Sequence, residues 1–182
     1  MSERVFDRVC AWQMTPGQLT AAAALLAAAA AERFGPIDQV IAVARGGLKP
    51  ADAIAGLLGA RLRVVHARHN PSSAPYTQAT GHVTCTVTGV EPGGLDGSIL
   101  IVDDICGTGM TLQTVTFALT RLARPGTQLH TATLCRNAGS PTRPGLTVWD
   151  DLREWVIFPW EPPPPPGAAA ATLPDPAQAH AA

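Results

Sequence analysis

Short apolar runs alternate with helical stretches along most of the chain, and this alternation constrains the fold more than any other feature. Two helical stretches, "PADAIAGLLGA" and "TLQTVTFALTRLA", each follow an apolar run. Four apolar runs have the length and composition of buried strands: "IDQVIAVA" (37–44), "RLRVVHA" (61–67), "SILIVDD" (98–104) and "LHTATLC" (129–135). Strands that alternate with helices predict an α/β fold with a mainly parallel sheet flanked by helices.

Two further segments complete the predicted secondary structure. The segment "TPGQLTAAAALLAAAAAERFG" (15–35) predicts a helix, because Thr15 can cap its start with Gln18 three residues later, and Gly35 can end it. Residues 66–97 are polar and rich in turn formers, although "HVTCTVTGV" (82–90) alternates as a hairpin strand does.

Composition excludes several classes of protein. Lys+Arg 13 against Asp+Glu 14 gives a formal charge of -1, so no electrostatic attraction to nucleic acid or to a membrane surface is expected. No apolar run reaches the roughly 18 residues of a membrane span. The four cysteines form no C-x-x-C pair, which argues against a zinc site and a disulfide framework. We therefore expect a cytoplasmic protein.

The composition changes at Pro162. The stretch "PPPPPGAAAATLPDPAQAHAA" (162–182) lacks the large apolar residues needed for a core, and it predicts a disordered or polyproline tail. The sequence therefore predicts one folded domain over residues 1–161.

The stretch "ILIVDDICGTGMTLQ" (99–113) places two acids at the end of a predicted strand. In parallel sheets, ligands bind beyond the carboxyl ends of the strands. The turn after Asp103 and Asp104 contains glycines and threonines, whose backbone N–H groups and hydroxyls suit an anion. A ribose 5-phosphate offers hydroxyls to the acids and a phosphate to the turn. The alternative is a capped strand-to-helix turn with solvated acids.

The segment 103–111 resembles the phosphoribosyl diphosphate (PRPP) signature of type I phosphoribosyltransferases. The resemblance implies that Asp103 and Asp104 hold the ribose hydroxyls, and that Asp104 contacts a Mg2+ cofactor. It also implies that the following residues bind the 5-phosphate: Cys106, Gly107, Thr108, Gly109, Met110 and Thr111.

The stretch "VARGGLKPA" (43–51) resembles the pyrophosphate loop of the same family. The resemblance implies that Ala44, Arg45, Gly46 and Gly47 bind pyrophosphate, that Arg45 acts in catalysis, and that the peptide bond near Ala44–Arg45 is cis. Independently of the resemblance, Arg45 can supply charge-assisted donors to a diphosphate. The alternative is a helix-entry turn with a surface arginine.

The stretch "EWVIFPWE" (154–161) resembles the C-terminal hood of xanthine–guanine phosphoribosyltransferases, expected here over about 146–161. The resemblance implies that Trp155 stacks on a purine, that the backbone of Val156 contacts the base edge, and that Glu161 lies near the metal. Arg136, in "LCRNAG" (134–139), matches a position where relatives carry a base-contacting lysine. Packing roles for Trp155 and a surface position for Arg136 are the alternatives.

Two positions depart from the pattern of 6-oxopurine phosphoribosyltransferases: Gly107, and Arg136 in place of the lysine. Gly107 stands where they usually carry an aspartate that contacts the purine, so the acceptor is less determined than the ribosyl donor. Residues 66–97 take the place of the family's mobile flap, which closes over the reacting centre.

The resemblance implies Mg2+-dependent transfer of 5-phosphoribose from PRPP to a heterocyclic base, with release of pyrophosphate. A purine, in salvage, is the favoured acceptor. Two alternatives remain open: a non-purine acceptor in specialised metabolism, and a non-catalytic PRPP-sensing regulator. Relatives are often dimers or tetramers, so a homo-oligomer is expected.

Overall fold

A computed structural model describes residues 3–68, 83–88, 90–163 and 169–180. Residues 69–82 and 89 of the flap predicted for 66–97 lie outside these residues, as do parts of the predicted tail. What is described around the flap is its base, where one strand enters it and a short strand returns.

A six-stranded sheet forms the centre of the protein, in the order β4-β3-β2-β5-β6-β7. All neighbouring strands are parallel except β4, which runs antiparallel to β3. The strands are β2 Gln39–Ala44, β3 Arg61–Arg68, β4 Thr84–Thr86, β5 Ser98–Cys106, β6 Gln128–Asn137 and β7 Leu146–Leu152. The α/β fold with a mainly parallel sheet is thus confirmed.

Among the described residues, four helices accompany the strands: α1 Pro16–Phe34, α2 Leu48–Leu58, α3 Met110–Thr120 and α4 Pro176–His180. The predicted capping box at the start of α1 is present, since Gln18 N donates to Thr15 Oγ1 (3.1 Å) and Thr15 N donates to Gln18 Oε1 (3.0 Å). Gly35 ends α1 with φ +76°. Within the described ranges, none of the helices combines the length and the hydropathy needed to cross a membrane.

The sheet is buried on both faces. Along β2, Val40 and Ala42 pack into the cluster that holds α1 and α2, whereas Ile41 and Val43 pack into the cluster that holds α3. Successive side chains of a strand point to opposite faces, so the consecutive apolar residues from Val40 to Ala44 require cover on both sides. The helices provide this cover.

A second, three-stranded sheet has the order β8-β1-β9 and consists of Trp155–Ile157, Ala11–Gln13 and Ala170–Thr172. The prediction of a disordered tail is therefore wrong for residues 169–180. Leu173 is 3% exposed, Trp149 Nε1 donates to Pro174 O at 3.1 Å, and α4 packs against α1 and β7. Composition alone missed this because the stability of β9 comes from pairing with β1, far away in the sequence.

The predicted start of the hood near residue 146 is also wrong. Residues 146–152 form β7, the edge strand of the central sheet. The hood, as the structure has it, is the three-stranded sheet together with the turn that follows β8.

The packed tail predicts a stability difference. Replacing Leu173 with Ala removes a buried side chain, so the free energy of unfolding should fall by about 2–4 kcal/mol. Urea denaturation followed by fluorescence measures it. Thr172→Ala, at the exposed neighbouring position, is the control and should change it by less than about 0.5 kcal/mol. Equal effects of the two substitutions would contradict the packing described.

Candidate active site

The two predicted loops lie side by side because their strands are neighbours. β2 and β5 pair in parallel, with Ala42 opposite Val102, so the loops that follow them leave the same edge of the sheet. One cleft at that edge is lined by residues from both loops: Ala44, Arg45, Gly46, Asp103, Asp104, Cys106, Gly107, Thr108, Gly109 and Thr111. The structure thus brings most of the sequence-predicted ligands of PRPP together.

The backbone of the Arg45 loop lies directly against the acid pair. A Cβ atom on Gly46 would overlap the carboxylate of Asp104, and one on Gly47 would overlap the backbone carbonyl of Val102. Glycine at both positions is therefore required by close approach. The peptide bond between Ala44 and Arg45 is cis, as the resemblance implies.

The two acids are held at the strand end by neighbouring backbone groups. Asp104 N donates to Asp103 Oδ1 (2.9 Å), and Ile105 N donates to Asp104 Oδ1 (2.7 Å). Burial raises the pKa of Asp103 well above its ordinary value, and the charge of Asp104 raises it further. Burial also raises the pKa of Asp104, although backbone hydrogen bonds oppose the shift. Such a pair favours ligands that bring hydroxyl donors or a cation.

The turn after the acids, residues 106–111, ends at the start of α3. Gly109 has φ +86°, and a Cβ atom there would overlap the side chain of Thr142. Met110 is the first residue of α3 and its N–H donates to Thr108 Oγ1 at 3.5 Å, while Thr108 and Thr111 line the cleft. A helix start with this geometry suits an anion.

Cys106 contributes to the cleft differently from its neighbours. Its thiol is buried, with Sγ 3.3 Å from Ser140 Oγ and 3.6 Å from Thr142 O. Burial raises the pKa of the Cys106 thiol above its ordinary value. The side chain thus holds the 140–142 segment, and only the backbone of Cys106 is suited to binding a phosphate.

Arg136 is placed away from the described cleft. It is 2% exposed, and its guanidinium pairs with Asp150 and Asp151 and donates to Ser140 O at 2.9 Å. Burial lowers the pKa of Arg136, but the hydrogen bond and charge of Asp150 outweigh it and raise the pKa. These contacts favour a structural role, and contact with a base stays a prediction.

The hood brings an aromatic ring and an acid toward the same region. Trp155 is half-buried and its ring centroid lies 5.9 Å from that of Phe6, whereas Val156 is buried. Glu161 accepts a hydrogen bond from Phe158 N at 2.9 Å. Burial raises the pKa of Glu161, and the charge of Asp104 adds to the shift. Glu161 therefore lies close enough to Asp104 for the two charges to interact.

Sequence reasoning missed Arg4. Its side chain lines the cleft, and its guanidinium lies 5.9 Å from the centroid of the Trp155 ring. Burial lowers the pKa of Arg4, and the charges of Asp104 and Asp103 oppose that shift. A lone arginine in "SERVF" carries no signal of this position. The glycine at position 107 was the one sequence feature related to this position of Arg4, because a Cβ atom there would overlap the Arg4 guanidinium.

The donor set near the acid pair fits a magnesium ion that arrives with a diphosphate. In the part of the chain that the structure describes, no three His, Cys, Asp or Glu residues cluster as a self-sufficient metal site. Magnesium in phosphate sites is typically held by one or two carboxylates, water and the substrate's own oxygens. Asp104, with Glu161 nearby, matches that requirement.

Comparison with known proteins decides the family. The family model for the phosphoribosyl transferase domain matches residues 16–166, which is most of the chain. The chain belongs to the phosphoribosyl transferase family. It is a type I phosphoribosyltransferase, with the mainly parallel sheet and flanking helices of that fold.

Individual relatives agree with this assignment. The chain is 28% identical over 150 residues to the xanthine-guanine phosphoribosyltransferase of Gluconobacter oxydans, covering 81% of this chain and 83% of that protein. It is 28% identical to the crystal structure of a purine phosphoribosyltransferase from Pyrococcus horikoshii, with a TM-score of 0.67 over 85% of this chain and 96% of that one. The xanthine-guanine-hypoxanthine phosphoribosyltransferase of Helicobacter pylori, at 18% identity and a TM-score of 0.69 over 83% and 94% of the chains, shares the fold.

The geometry of the turn over residues 106–111 predicts that Gly109→Ala lowers the free energy of unfolding more than an alanine substitution at another glycine of positive φ does. Gly109→Ala imposes both a positive φ on alanine, at about 1–2 kcal/mol, and an overlap with Thr142. Gly126→Ala is the matched control, since φ there is +90° with nothing near the added Cβ atom. Urea denaturation should show a larger loss of stability for Gly109→Ala. Equal losses would contradict the close approach of Thr142.

The ion pairs of Arg136 with Asp150 and Asp151 predict a contribution to the free energy of unfolding that depends on pH. Arg136→Met should lower the free energy of unfolding at pH 7 by about 2 kcal/mol, because charged hydrogen bonds are lost. Partial burial raises the pKa of Asp150, but the hydrogen bond from Arg136 outweighs it and the pKa is lowered. The stabilisation is therefore complete above the ordinary carboxyl pKa of about 3.9 and is lost as the pH falls through the lowered value.

Urea denaturation across pH measures this difference. Arg143→Met, which removes an exposed partner of the same Asp150, is the control and should cost less than about 1 kcal/mol. A loss for Arg136→Met that does not shrink at low pH would contradict the assignment.

Proposed function

We propose that the protein transfers 5-phosphoribose from PRPP to a purine base, with Mg2+ as cofactor and pyrophosphate as the second product. The observation that carries the proposal is the single cleft in which the Arg45 loop, the acid pair and the start of α3 meet. Purine as the acceptor is supported by the relatives from Gluconobacter oxydans and Pyrococcus horikoshii. Salvage of purines is the corresponding role.

The proposed binding of the sugar follows from the chemistry of the cleft. Asp103 and Asp104 accept hydrogen bonds from the ribose hydroxyls. The 5-phosphate binds to the turn over 106–111, where the first N–H groups of α3 and the hydroxyls of Thr108 and Thr111 donate to its oxygens. The backbone of Gly107, Gly109 and Met110 contributes without a side chain in the way.

The proposed reaction breaks the bond between the ribose C1 and the diphosphate oxygen, which keeps the electron pair. Asp104, with Glu161 nearby, would hold the metal, which would supply positive charge to offset that of the departing diphosphate. Arg45 donates to the same group, and the backbone of Ala44, Gly46 and Gly47 surrounds it. The ring nitrogen of the base then bonds to C1, and its proton passes to water. Positioned charge suits such a loose reacting centre better than a protein nucleophile does.

The proposed acceptor site lies at the hood. Trp155 supplies a flat face on which a heterocycle stacks, at about 1–3 kcal/mol per base in nucleic-acid complexes. The backbone of Val156 contacts the base edge, and Glu161 stands near the metal. Gly107 leaves this site without a side-chain acid, which keeps a non-purine acceptor as the second candidate.

Two further expectations belong to the proposal. None of Cys10, Cys85, Cys106 and Cys135 forms a disulfide bond, in keeping with a reducing compartment such as the cytoplasm. A dimer or tetramer is the assembly that the resemblance implies, and light scattering of the purified protein measures it.

The decisive experiment offers the protein PRPP, Mg2+ and a panel of hypoxanthine, guanine, xanthine, adenine, uracil and simple amines. Mass spectrometry should identify a purine nucleotide, with one pyrophosphate released per nucleotide and no product when EDTA replaces Mg2+. A product from uracil or an amine alone would replace purine with the second candidate. No product from any acceptor would overturn the proposed function.

A substitution in the acid pair tests its proposed role in binding PRPP and the metal. Asp104→Asn should lower kcat/KM for PRPP at least about 100-fold, because a metal and hydroxyl ligand is lost. Asp52→Asn, an exposed substitution of the same kind on α2, is the control and should leave it unchanged. An active Asp104→Asn variant would remove the acid pair from the mechanism.

A further inference from the structure

The segment over residues 3–10, here called the leading segment, is fastened beside the cleft by two buried side chains. Asn137 is 1% exposed; its Oδ1 accepts from Val5 N (2.8 Å) and its Nδ2 donates to Val5 O (2.9 Å). Glu154 is 7% exposed and accepts from Val9 N at 2.7 Å. Release of the segment would leave buried polar groups without these partners, at a cost in free energy. These hydrogen bonds therefore hold the leading segment beside the cleft.

Two glycines leave room for the leading segment. A Cβ atom on Gly107 would overlap the Arg4 guanidinium, and one on Gly139 would overlap the Glu3 carbonyl and crowd Val5. Neither glycine has a positive φ, so the backbone conformation does not require glycine at either position. The space that the absent side chain at Gly107 leaves is the space that Arg4 fills.

Arg4 lies between the proposed ribose-binding acids and the proposed base-binding tryptophan. On one side, its guanidinium interacts electrostatically with the carboxylates of Asp104 and Asp103. On the other, it lies 5.9 Å from the centroid of the Trp155 ring, against which Phe6 also packs. The acids are assigned to the ribose and the tryptophan to the base, so Arg4 lies where the two must meet. Residues 3–10 precede the family match, which begins at residue 16.

We propose that Arg4 binds the acceptor and selects it, by donating hydrogen bonds to an oxo group on the edge of the heterocycle stacked at Trp155. This inference rests on the proposed function and adds to it the class of acceptor. A guanidinium has five donors and no acceptor. It therefore favours a carbonyl-bearing edge and discriminates against an amino group at the same position, so an oxopurine is preferred over adenine.

Steady-state kinetics of the full chain tests this, with PRPP and Mg2+ and with hypoxanthine, guanine, xanthine or adenine as the acceptor. Arg4→Met keeps the apolar stem and removes the donors. It should raise KM for the preferred oxopurine about 10- to 100-fold and bring the oxopurine and adenine rates within a few-fold of each other. KM for PRPP should stay within about twofold, since the phosphate-binding loops are untouched. Arg4→Lys should recover only part of the loss.

Arg8→Met is the matched control, because it makes the same chemical change in the same segment at an exposed position outside the cleft lining. It should leave both KM values and the base preference unchanged. An active wild type whose base KM and preference do not respond to Arg4→Met would overturn the inference and leave the proposed function standing. A higher kcat/KM in Arg4→Met would make the segment an inhibitory plug and would also overturn it. A wild type inactive with every base would overturn the proposed function itself, and this inference with it.

The fit between Arg4 and Gly107 provides an independent test. Gly107→Ala should displace the guanidinium and raise KM for the oxopurine about tenfold in the wild-type background, yet by less than twofold in an Arg4→Ala background. Thermal melts establish that each variant is folded. Equal effects of Gly107→Ala in both backgrounds would show that the two positions act independently, which the proposal does not allow.

Discussion

The parallel pairing of β2 with β5 is the constraint on which the site depends. Because the two strands run side by side in the same direction, the loop after Ala44 and the acids after Val102 leave the same edge of the sheet. Their approach is so close that Gly46 has no room for a side chain beside Asp104. Burial of the sheet on both faces fixes this arrangement, since β2 and β5 are apolar at almost every position. The relative positions of the Arg45 loop and the acid pair are thereby set by the core.

Much of this could be predicted from local sequence. The capping box at Thr15, the alternating strands and helices, and the acid pair at the end of β5 are signals carried by neighbouring residues. Parallel pairing follows from the alternation, so the meeting of the Arg45 loop with Asp103 and Asp104 could be predicted as well. The resemblance to phosphoribosyltransferases rests on these same segments.

What could not be predicted depends on partners distant in sequence. The strand at 170–172 has a composition typical of disorder, and it forms because β1 offers a free edge. The ion pairs of Arg136 with Asp150 and Asp151 were not predicted. Arg4 reaches the cleft because Asn137 and Glu154 fasten the backbone around it. For β9 and Arg4 the decisive interaction crosses most of the chain, and for Arg136 it spans 14 or 15 residues; no local pattern records any of them.

The three-stranded sheet has a consequence for the order in which the protein matures. Its middle strand, β1, precedes the strands of the central sheet in the chain, whereas both of its partners, β8 and β9, follow them. The central sheet can therefore assemble during synthesis before β1 has its neighbours, since contacts between distant segments form late. The nascent chain would then bring the Arg45 loop and the acid pair together before the three-stranded sheet exists. That sheet would form in one later step, when β8 and β9 pair with β1.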